Sequence, residues 1–538
     1  MRRNLKNMSI IKREIVALSV LVTILVLLSI RLSFLQLFPS EQVVSQYQNH
    51  QSESISNANY MVLDTNGKDM MNYNKEYIIV IDKKPFSLNN YEETLEDLMA
   101  FNFIMKGEEP NFNYTDVMKS KGKLYYTVSE DTYNKVKKLE NIKGLYCYIY
   151  DNVDRRKAWK VSNFISNLPK KDDIVKNSLQ EEIYNNVKDN DFARKKFYLD
   201  DKAVYGKSEV DISDENRNLK LTLDLDMENK IREVLADNKY KDFDNIGVTI
   251  MEANTGKIVS MVQKDESEAN VNLCIEGNGY EPGSIFKLIT LGVALDKGLI
   301  TMNDSYTCTG KICSLGIHGT QTIKQALLNS CNDVYAKVGE KVGYITMMDY
   351  CKRLGLFSEV LNISGPRQNE AKGIKPNVED GMTNISIGQC MTLSPLQMVG
   401  AINTIVNNGE YVKPYLLESI VDKDDNVIKE YSTEKERVLS STTSKILMEN
   451  MKAVVDSGTG KMAKVNGVDI GGKTGTANTS IKDTVHCWFI GYYKNNDKYY
   501  TMVVVVPNIK STNDDGKDLG GSNTSAPIFA DIVRNLTK

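Results

Sequence analysis

Three groups of polar residues in the second half of the chain combine a serine nucleophile with lysine bases. Ser284 and Lys287 are three residues apart, and the apolar run after them predicts a helix with both side chains on one face. Ser330 and Asn332 flank a cysteine, and Lys473 begins the third group. A serine hydroxyl becomes a good nucleophile only when a neighbouring base takes its proton. The three groups together therefore predict acyl transfer at Ser284.

The third group, Lys473 to Thr476, is suited to binding the substrate. A lysine base at position 287 must be neutral, and the positive charge of Lys473 would help to lower its pKa. Gly475 lets a substrate backbone approach a strand edge closely. The Lys473 ammonium and the hydroxyls of Thr474 and Thr476 can bind a carboxylate. The backbone N–H groups of Thr476 and of the serine nucleophile are the predicted oxyanion hole.

A cluster of metal-binding residue types surrounds the second group. Cys308, Cys313 and His318 precede Cys331, which lies inside that group. Three thiolates and an imidazole in a tetrahedral array suit zinc, which would brace the second group without taking part in the chemistry. A disulfide between Cys308 and Cys313 and plain reduced thiols are the two alternatives.

The N-terminal region predicts a membrane anchor. Residues 15–38 are mainly apolar and span about 24 residues, enough for a bilayer that needs roughly 20. Arginines and lysines precede this run, so residues 1–14 are expected in the cytoplasm and the rest of the chain outside. A cleaved signal peptide is the alternative, but no small-residue cleavage site follows the apolar core.

The 538 residues are too many for one core and predict two or three domains. Residues 39–215 predict a mixed α/β pedestal domain, and residues 216–538 a catalytic domain. In the latter, strands are expected at both ends with helices between them, which predicts an α+β fold with an antiparallel sheet covered by helices. The formal net charge of −3 and the absence of a basic stripe argue against nucleic-acid binding.

The three groups, in this order, resemble the boxes of penicillin-binding proteins and β-lactamases. Further motifs resemble class B penicillin-binding proteins, which are membrane-anchored peptidoglycan D,D-transpeptidases. These are Tyr280-Glu281-Pro282-Gly283 before the nucleophile, Ser386-Ile387-Gly388-Gln389, Ser394-Pro395-Leu396-Gln397-Met398, and Trp488-Phe489-Ile490-Gly491. The resemblance covers most of residues 219–538 and implies the penicillin-binding transpeptidase fold, after a single transmembrane helix and an elongated pedestal.

This resemblance implies a function and partners. Ser284 would attack the D-Ala-D-Ala carbonyl of a stem peptide and would be acylated by β-lactams. Ser330 would relay a proton toward the leaving amine, and Asn332 would hold a substrate amide. A membrane glycosyltransferase of the shape-elongation-division-sporulation type is the implied partner, in cell division or spore wall synthesis. The resemblance extends to clostridial-type members of the family that carry a zinc site beside the active site, because the Cys/His cluster of this chain is similar to that site.

Two other functions stay open from the sequence. The first is hydrolysis by a D,D-carboxypeptidase or β-lactamase, although no deacylating glutamate can be assigned. The second is a wall-assembly scaffold whose catalysis is dispensable.

Overall fold

The computed structural model describes residues 15, 18–31, 33, 50–90, 92–119, 122–313, 316–365, 369–513 and 515–538. Residues 18–31 are helical. Within the described ranges, no helix is both long enough and apolar enough to cross a bilayer. The predicted anchor, 15–38, includes positions 16–17, 32 and 34–38, which lie outside the described residues.

The chain forms two compact units. The first comprises the described residues up to Asn57 together with Lys75–Asn152 and Phe192–Ile212. The second comprises Ala58–Asn74, Val153–Asp191 and the described part of Ser213–Lys538. Each unit is therefore built from segments that are separated in the sequence.

The first unit contains two three-stranded sheets, with strand orders β1-β6-β7 and β4-β3-β5. Their strands are β1 (His50–Ser54), β3 (Tyr73–Asp82), β4 (Lys123–Val128), β5 (Leu145–Val153), β6 (Arg194–Tyr198) and β7 (Lys207–Asp211). Its helices are α1 (Lys83–Phe86), α2 (Leu95–Lys106), α3 (Tyr114–Lys119) and α4 (Glu130–Val136). Apolar residues of β3, such as Ile79 and Ile81, share a buried cluster with Leu98 and Phe101 of α2.

A five-stranded antiparallel sheet forms the centre of the second unit. Its strand order is β10-β9-β19-β18-β17, so β17 lies at an edge. The strands are β9 (Gly247–Glu252), β10 (Ile258–Gln263), β17 (Ile470–Asn478), β18 (Thr484–Asn495) and β19 (Lys498–Lys510). The strands expected at both ends of the catalytic domain are confirmed: β9 and β10 come early in it, and β17, β18 and β19 come near its end.

Side chains of this sheet alternate between two apolar layers, because successive residues of a strand point to opposite faces. Val504 and Val506 of β19 lie in a cluster that includes Phe529. Val503 and Val505 lie in a larger cluster that includes Leu288. With both faces covered, the sheet is buried on each side.

Helices cover the central sheet of the second unit, as the α+β prediction requires. The helices of the second unit are α5 (Val161–Ile165), α6 (Leu179–Val187), α7 (Leu225–Leu235), α8 (Lys287–Asp296), α9 (Ile323–Leu328), α10 (Asn332–Val342), α11 (Tyr344–Arg353), α12 (Met382–Ile385), α13 (Pro395–Val406), α14 (Ser441–Ser457) and α15 (Ser525–Leu536). Ile231 and Leu235 of α7 pack in the same layer as Phe529 of α15, whereas α13 contributes to the opposite layer.

Smaller sheets complete the second unit. A four-stranded sheet has the order β15-β14-β8-β2, and two two-stranded sheets pair β11 with β12 and β13 with β16. The strands are β2 (Val62–Leu63), β8 (Asn218–Leu221), β11 (Ser305–Cys308), β12 (Gly319–Thr322), β13 (Glu410–Val412), β14 (Leu417–Val421), β15 (Val427–Glu430) and β16 (Lys435–Arg437). The β11–β12 pair leads directly into the second catalytic group through α9.

Candidate active site

The nucleophile lies in a tight turn that precedes α8. Residues Gly283–Phe286 form one turn of 3-10 helix, and the α-helix begins at Lys287. The sequence predicted an α-helix from Ser284 itself, so the first turn is tighter than expected. A Cβ atom at Gly283 would lie 2.6 Å from the backbone oxygen of Thr476, and the φ of Gly283 is +54°. Only glycine allows this close approach between the turn and the edge strand.

Lys287 is placed to take the proton of Ser284. Its Nζ lies 3.0 Å from the Ser284 Oγ and 2.6 Å from both the Ser330 backbone oxygen and the Asn332 Oδ1. The Lys287 side chain is fully buried, and this burial lowers its pKa to about 7. A lysine with that pKa is neutral in a large fraction of molecules at neutral pH and can act as a general base.

Ser330 lies between two buried lysines. Its Oγ is 3.3 Å from the Lys287 Nζ and 2.9 Å from the Lys473 Nζ. Burial, together with the charge of Lys287, holds the pKa of Lys473 well below its usual range. Ser330 follows α9 in a left-handed conformation, with φ of +56°. The hydroxyls of Ser284 and Ser330 are thus connected through lysine Nζ atoms.

The third group lies on the free edge of the central sheet. Lys473 is opposite Ile490 of β18 in the strand register, and its Nζ also donates to the Thr474 backbone oxygen at 2.9 Å. A Cβ at Gly475 would lie 2.8 Å from the Pro282 backbone oxygen. Glycine at this position is therefore required by contact with the nucleophile turn, in addition to the predicted approach of substrate.

A cavity of about 400 Å³ joins the three groups. Ser284, Ser330, Asn332, Thr474 and Thr476 all line it. Of the predicted catalytic and substrate-binding residues, Lys287, Lys473 and Gly475 lie beneath this surface and are fully or nearly fully buried. The structure thus brings together all eight residues that the three groups contributed.

The predicted metal ligands also meet at one point. The Cys308 Sγ is 3.6 Å from the Cys313 Sγ and 3.6 Å from the His318 Nδ1, and the Cys313 Sγ is 3.5 Å from the Cys331 Sγ. All four ligand atoms lie within 4.8 Å of one another. A disulfide needs about 2.05 Å between sulfurs, and all eight cysteines are free. Tetrahedral zinc with bonds of about 2.3 Å separates thiolates by roughly 3.8 Å, so this donor set fits the ion.

The cluster borders the catalytic cavity, because Cys313 and His318 line it. Cys331 precedes the first residue of α10, Asn332, and follows Ser330. The Asn332 Nδ2 donates to the backbone oxygen of Ile312 at 3.0 Å, next to Cys313 in the chain. The loop that carries the ligands therefore contacts the second catalytic group directly.

A contact between the buried His486 and the partly exposed Glu281, which the sequence did not reveal, supports the nucleophile turn. The Asn508 backbone N–H donates to the His486 Nδ1 at 3.2 Å, so the neutral ring carries its proton on Nε2. That Nε2 lies 3.2 Å from the Glu281 Oε2, three residues before Ser284. The Trp488 Nε1–H also donates to the Glu281 backbone oxygen at 3.0 Å. Both contacts join the turn to β18.

Two other parts of the cavity were also missed. Thr459 lines it and places its hydroxyl 2.8 Å from the Thr474 hydroxyl. Ser511, Asp518 and Asn523, from the segment between β19 and α15, line the far side. The Ser-Gly-Thr-Gly run around Thr459 was a usable signal for a turn with a hydroxyl, whereas the segment after β19 carries no recognisable pattern.

Comparison with known proteins identifies the family. The penicillin-binding protein transpeptidase domain model matches residues 246–534. This chain belongs to the penicillin-binding protein transpeptidase family. Stage V sporulation protein D of Bacillus subtilis (strain 168) is 27% identical over 578 residues, which cover 98% of this chain and 86% of that protein. The chain is a class B penicillin-binding protein with a serine transpeptidase domain.

Solved structures agree with this fold. A peptidoglycan synthetase from Bifidobacterium adolescentis has a TM-score of 0.60 at 16% identity, covering 90% of this chain and 96% of that one. Penicillin-binding protein 3 from Mycobacterium tuberculosis with aztreonam has a TM-score of 0.57 at 18% identity, with the same coverage. The chain spans only 53% of the length of PbpB from Mycolicibacterium smegmatis, to which it is 24% identical.

With the neutral form of Lys287 as the predicted base, the rate of Ser284 acylation should rise with pH. The pKa of about 7 places the midpoint of this rise near neutrality, with a plateau above about pH 8. The measurement is the acylation rate constant for benzylpenicillin between pH 5.5 and 9, at saturating drug. A rate that stays constant between pH 6 and 8 would contradict the role of Lys287.

Replacing Glu281 by alanine should slow acylation without weakening the initial binding of penicillin. The loss of the His486 contact lets the nucleophile turn shift from β18, and a small misplacement of this kind costs on the order of tenfold in rate. Glu281→Gln keeps an oxygen that accepts from the His486 Nε2–H and should restore most of the rate. The acylation rate constant and the dissociation constant are obtained separately from the way the observed acylation rate depends on drug concentration. A larger dissociation constant for penicillin together with an unchanged acylation rate constant would contradict this role.

Proposed function

We propose that Ser284 is the acylated nucleophile in a peptidoglycan D,D-transpeptidation reaction. The observation that supports this most directly is the 3.0 Å distance between the Lys287 Nζ and the Ser284 Oγ, at the floor of the cavity that Thr474 and Thr476 also line. The Ser284 Oγ forms a bond to the penultimate D-Ala carbonyl carbon, and its proton passes to Lys287. The backbone N–H groups of Ser284 and Thr476 bind the oxyanion.

The leaving group departs with a proton. The amide bond to the terminal D-Ala breaks, and its amine takes a proton through the hydroxyl of Ser330, which lies within reach of both Lys287 and Lys473. The Thr474 hydroxyl, which lies 3.4 Å from the buried Lys473 Nζ, binds the terminal carboxylate. Asn332 holds an amide of the stem peptide.

An amine of a neighbouring stem then attacks the ester carbonyl. The new amide bond forms as the bond to the Ser284 Oγ breaks, and the proton lost by the amine returns to that oxygen through Lys287. β-Lactams enter the first half of this sequence and stop there, because their ring-opened product stays attached to Ser284 and hinders the acceptor.

The physiological setting follows from relatives and from the N-terminal sequence. The 27% identical relative is named stage V sporulation protein D, and a 25% identical relative from Mesostigma viride is named a peptidoglycan D,D-transpeptidase FtsI homolog. We therefore assign the chain to wall synthesis in division or sporulation. The apolar run 15–38, preceded by basic residues, supports a single-pass anchor with a cytoplasmic N-terminus and an extracellular catalytic domain.

Two further assignments accompany this setting. Residues 39–215 serve as the pedestal, and residues 216–538, which include the family match, serve as the transpeptidase domain. A membrane glycosyltransferase of the shape-elongation-division-sporulation type is the proposed partner, which supplies the glycan strands that are cross-linked.

Zinc bound by Cys308, Cys313, His318 and Cys331 completes the proposed site. The separations between the four ligand atoms support this assignment. The ion would hold Cys331, and with it Ser330 and Asn332, in a fixed position.

The identity of the nucleophile is tested by the intact mass of the full-length chain after incubation with benzylpenicillin. The wild-type chain should gain one penicillin mass that persists for minutes or longer, and Ser284→Ala should gain none. Ser432→Ala, in another Ser-x-x-Lys string, is the matched control and should be acylated normally. An adduct that clears within seconds would favour a hydrolase, and no adduct on folded wild-type protein would favour a scaffold.

Replacing Cys313 by serine should reduce zinc content and thermal stability together. A ligand lost from a structural zinc site weakens both binding and the fold that the ion supports. Zinc per chain, measured by elemental analysis, should fall well below the wild-type value of about one. Cys390→Ser is the matched control, because Cys390 is exposed and outside the cluster. Equal zinc content in the two variants would contradict this ligand set.

A further inference from the structure

An aromatic ring lies against the amine of Lys287. Tyr335 belongs to α10, three residues after Asn332, and its side chain is fully buried. The Lys287 Nζ lies over the Tyr335 ring, 5.7 Å from the ring centroid. A cation within about 6 Å of an aromatic face is attracted by the negative potential of that face, most strongly where water is excluded. The Tyr335 ring therefore favours positive charge on this amine.

The hydroxyl of Tyr335 does not take part in this contact. It is buried, and it has no hydrogen-bond partner among the residues that the structure describes. A buried hydroxyl without a partner costs free energy, so the hydroxyl gives no reason for a tyrosine at this position. What Tyr335 offers to Lys287 is consequently the face of its ring.

The oxygen atoms around the Lys287 Nζ match a protonated amine. The Nζ lies 2.6 Å from the Ser330 backbone oxygen, 2.6 Å from the Asn332 Oδ1 and 3.0 Å from the Ser284 Oγ. A neutral amine has two N–H donors, whereas the ammonium has three, and these three oxygens can accept all of them. The ring adds a further contact that acts on the charge and needs no hydrogen bond. The surroundings of Lys287 thus fit the state that follows proton transfer.

The ring also distinguishes the two buried lysines. The Ser330 Oγ lies 3.3 Å from the Lys287 Nζ and 2.9 Å from the Lys473 Nζ, so either amine can exchange a proton with it. Among the described residues, the contacts between lysine amines and aromatic rings include one for Lys287 and none for Lys473. Positive charge is therefore better stabilised on Lys287.

We propose that Tyr335 is a positioning residue that acts through Lys287, because its ring stabilises the ammonium that forms as Lys287 takes the proton of Ser284. The Ser284 O–H bond breaks, an N–H bond forms on Lys287, and the electron pair left on the Ser284 Oγ forms the bond to the carbonyl carbon. The charge on the amine grows during this step, so the ring stabilises the transition state more than the ground state. This inference rests on the proposed function.

The test changes the charge distribution of the ring and keeps its shape, in the full-length chain. Tyr335→Phe removes only the unpartnered hydroxyl and should be acylated at close to the wild-type rate. Replacing Tyr335 by monofluoro-, difluoro- and trifluorophenylalanine then weakens the negative face of the ring step by step. The acylation rate constant at saturating benzylpenicillin should fall with each fluorine, by about tenfold in total. The dissociation constant of the drug should not change.

The rates are measured at about pH 9, above the pKa of Lys287, so that the neutral amine predominates in every variant. Tyr493 is the matched control, since it is also fully buried and its hydroxyl is also without a partner among the described residues. Its ring is stacked on Tyr500, on a different layer of the sheet from Lys287. The same fluorinated residues at position 493 should leave the acylation rate constant unchanged.

Three results would overturn the inference. The first is a rate constant that does not depend on fluorine at position 335. The second is an equal fall at position 493. The third is a fall at position 335 that follows the unfolding temperature of the variants instead of the number of fluorine atoms, since the ring would then serve packing alone.

Acylation of the wild type at Ser284, read from the intact mass, separates this inference from the proposed function. Normal acylation of the wild type, with no effect of fluorine at position 335, would overturn the inference alone. Failure of the wild type to be acylated at Ser284 would overturn the proposed function and the inference together.

Discussion

Burial of two lysines against one serine hydroxyl is the constraint on which the active site depends. Lys287 and Lys473 are fully removed from solvent, and both reach the Ser330 Oγ. Burial disfavours their charged forms, and the charge of Lys287 further disfavours that of Lys473. A buried polar group must also find hydrogen-bond partners. The backbone oxygens of Ser330 and Thr474 are these partners for Lys287 and Lys473. The backbone conformation at Ser330 and Thr474 therefore helps to determine how basic the two lysines are.

The turn at Ser330 has to be held in an uncommon conformation for this arrangement to persist. Ser330 has a positive φ, which is costly for a residue with a side chain. On its N-terminal side, α9 is begun by a capping box between Thr322 and Gln325. On its C-terminal side, Cys331 belongs to the Cys/His cluster. The cluster therefore lies next to the Ser330 turn. An ion bound by the cluster would restrain this turn and so keep Ser330 in position for catalysis.

Close backbone contact between the nucleophile turn and β17 sets the width of the cavity. Gly283 and Gly475 both lie where a Cβ atom would overlap the facing backbone, at 2.6 and 2.8 Å. The Glu281–His486 pair adds a polar contact between the turn and β18. β17 is hydrogen-bonded to β18 along its length. The contacts of the nucleophile turn with β17 and with β18 therefore both fix the distance between Ser284 and Thr476. The position of the proposed oxyanion hole is thus a consequence of sheet packing.

The sequence by itself predicted a serine transpeptidase and the α+β fold of its catalytic domain. The order of the three groups predicted Ser284, Lys287 and Lys473 as site residues, and sequence patterns predicted strands at both ends of the catalytic domain, because both signals are local. Tertiary structure decided what depends on contacts between distant segments. Glu281 and His486 are about 200 residues apart in sequence, and Asp518 reaches the cavity only through the path of the chain after β19. No local pattern encodes such contacts, since they arise from how β17, β18 and β19 pack beside the nucleophile turn. The lowered pKa of Lys287 likewise required burial, which residue types and spacing could only suggest.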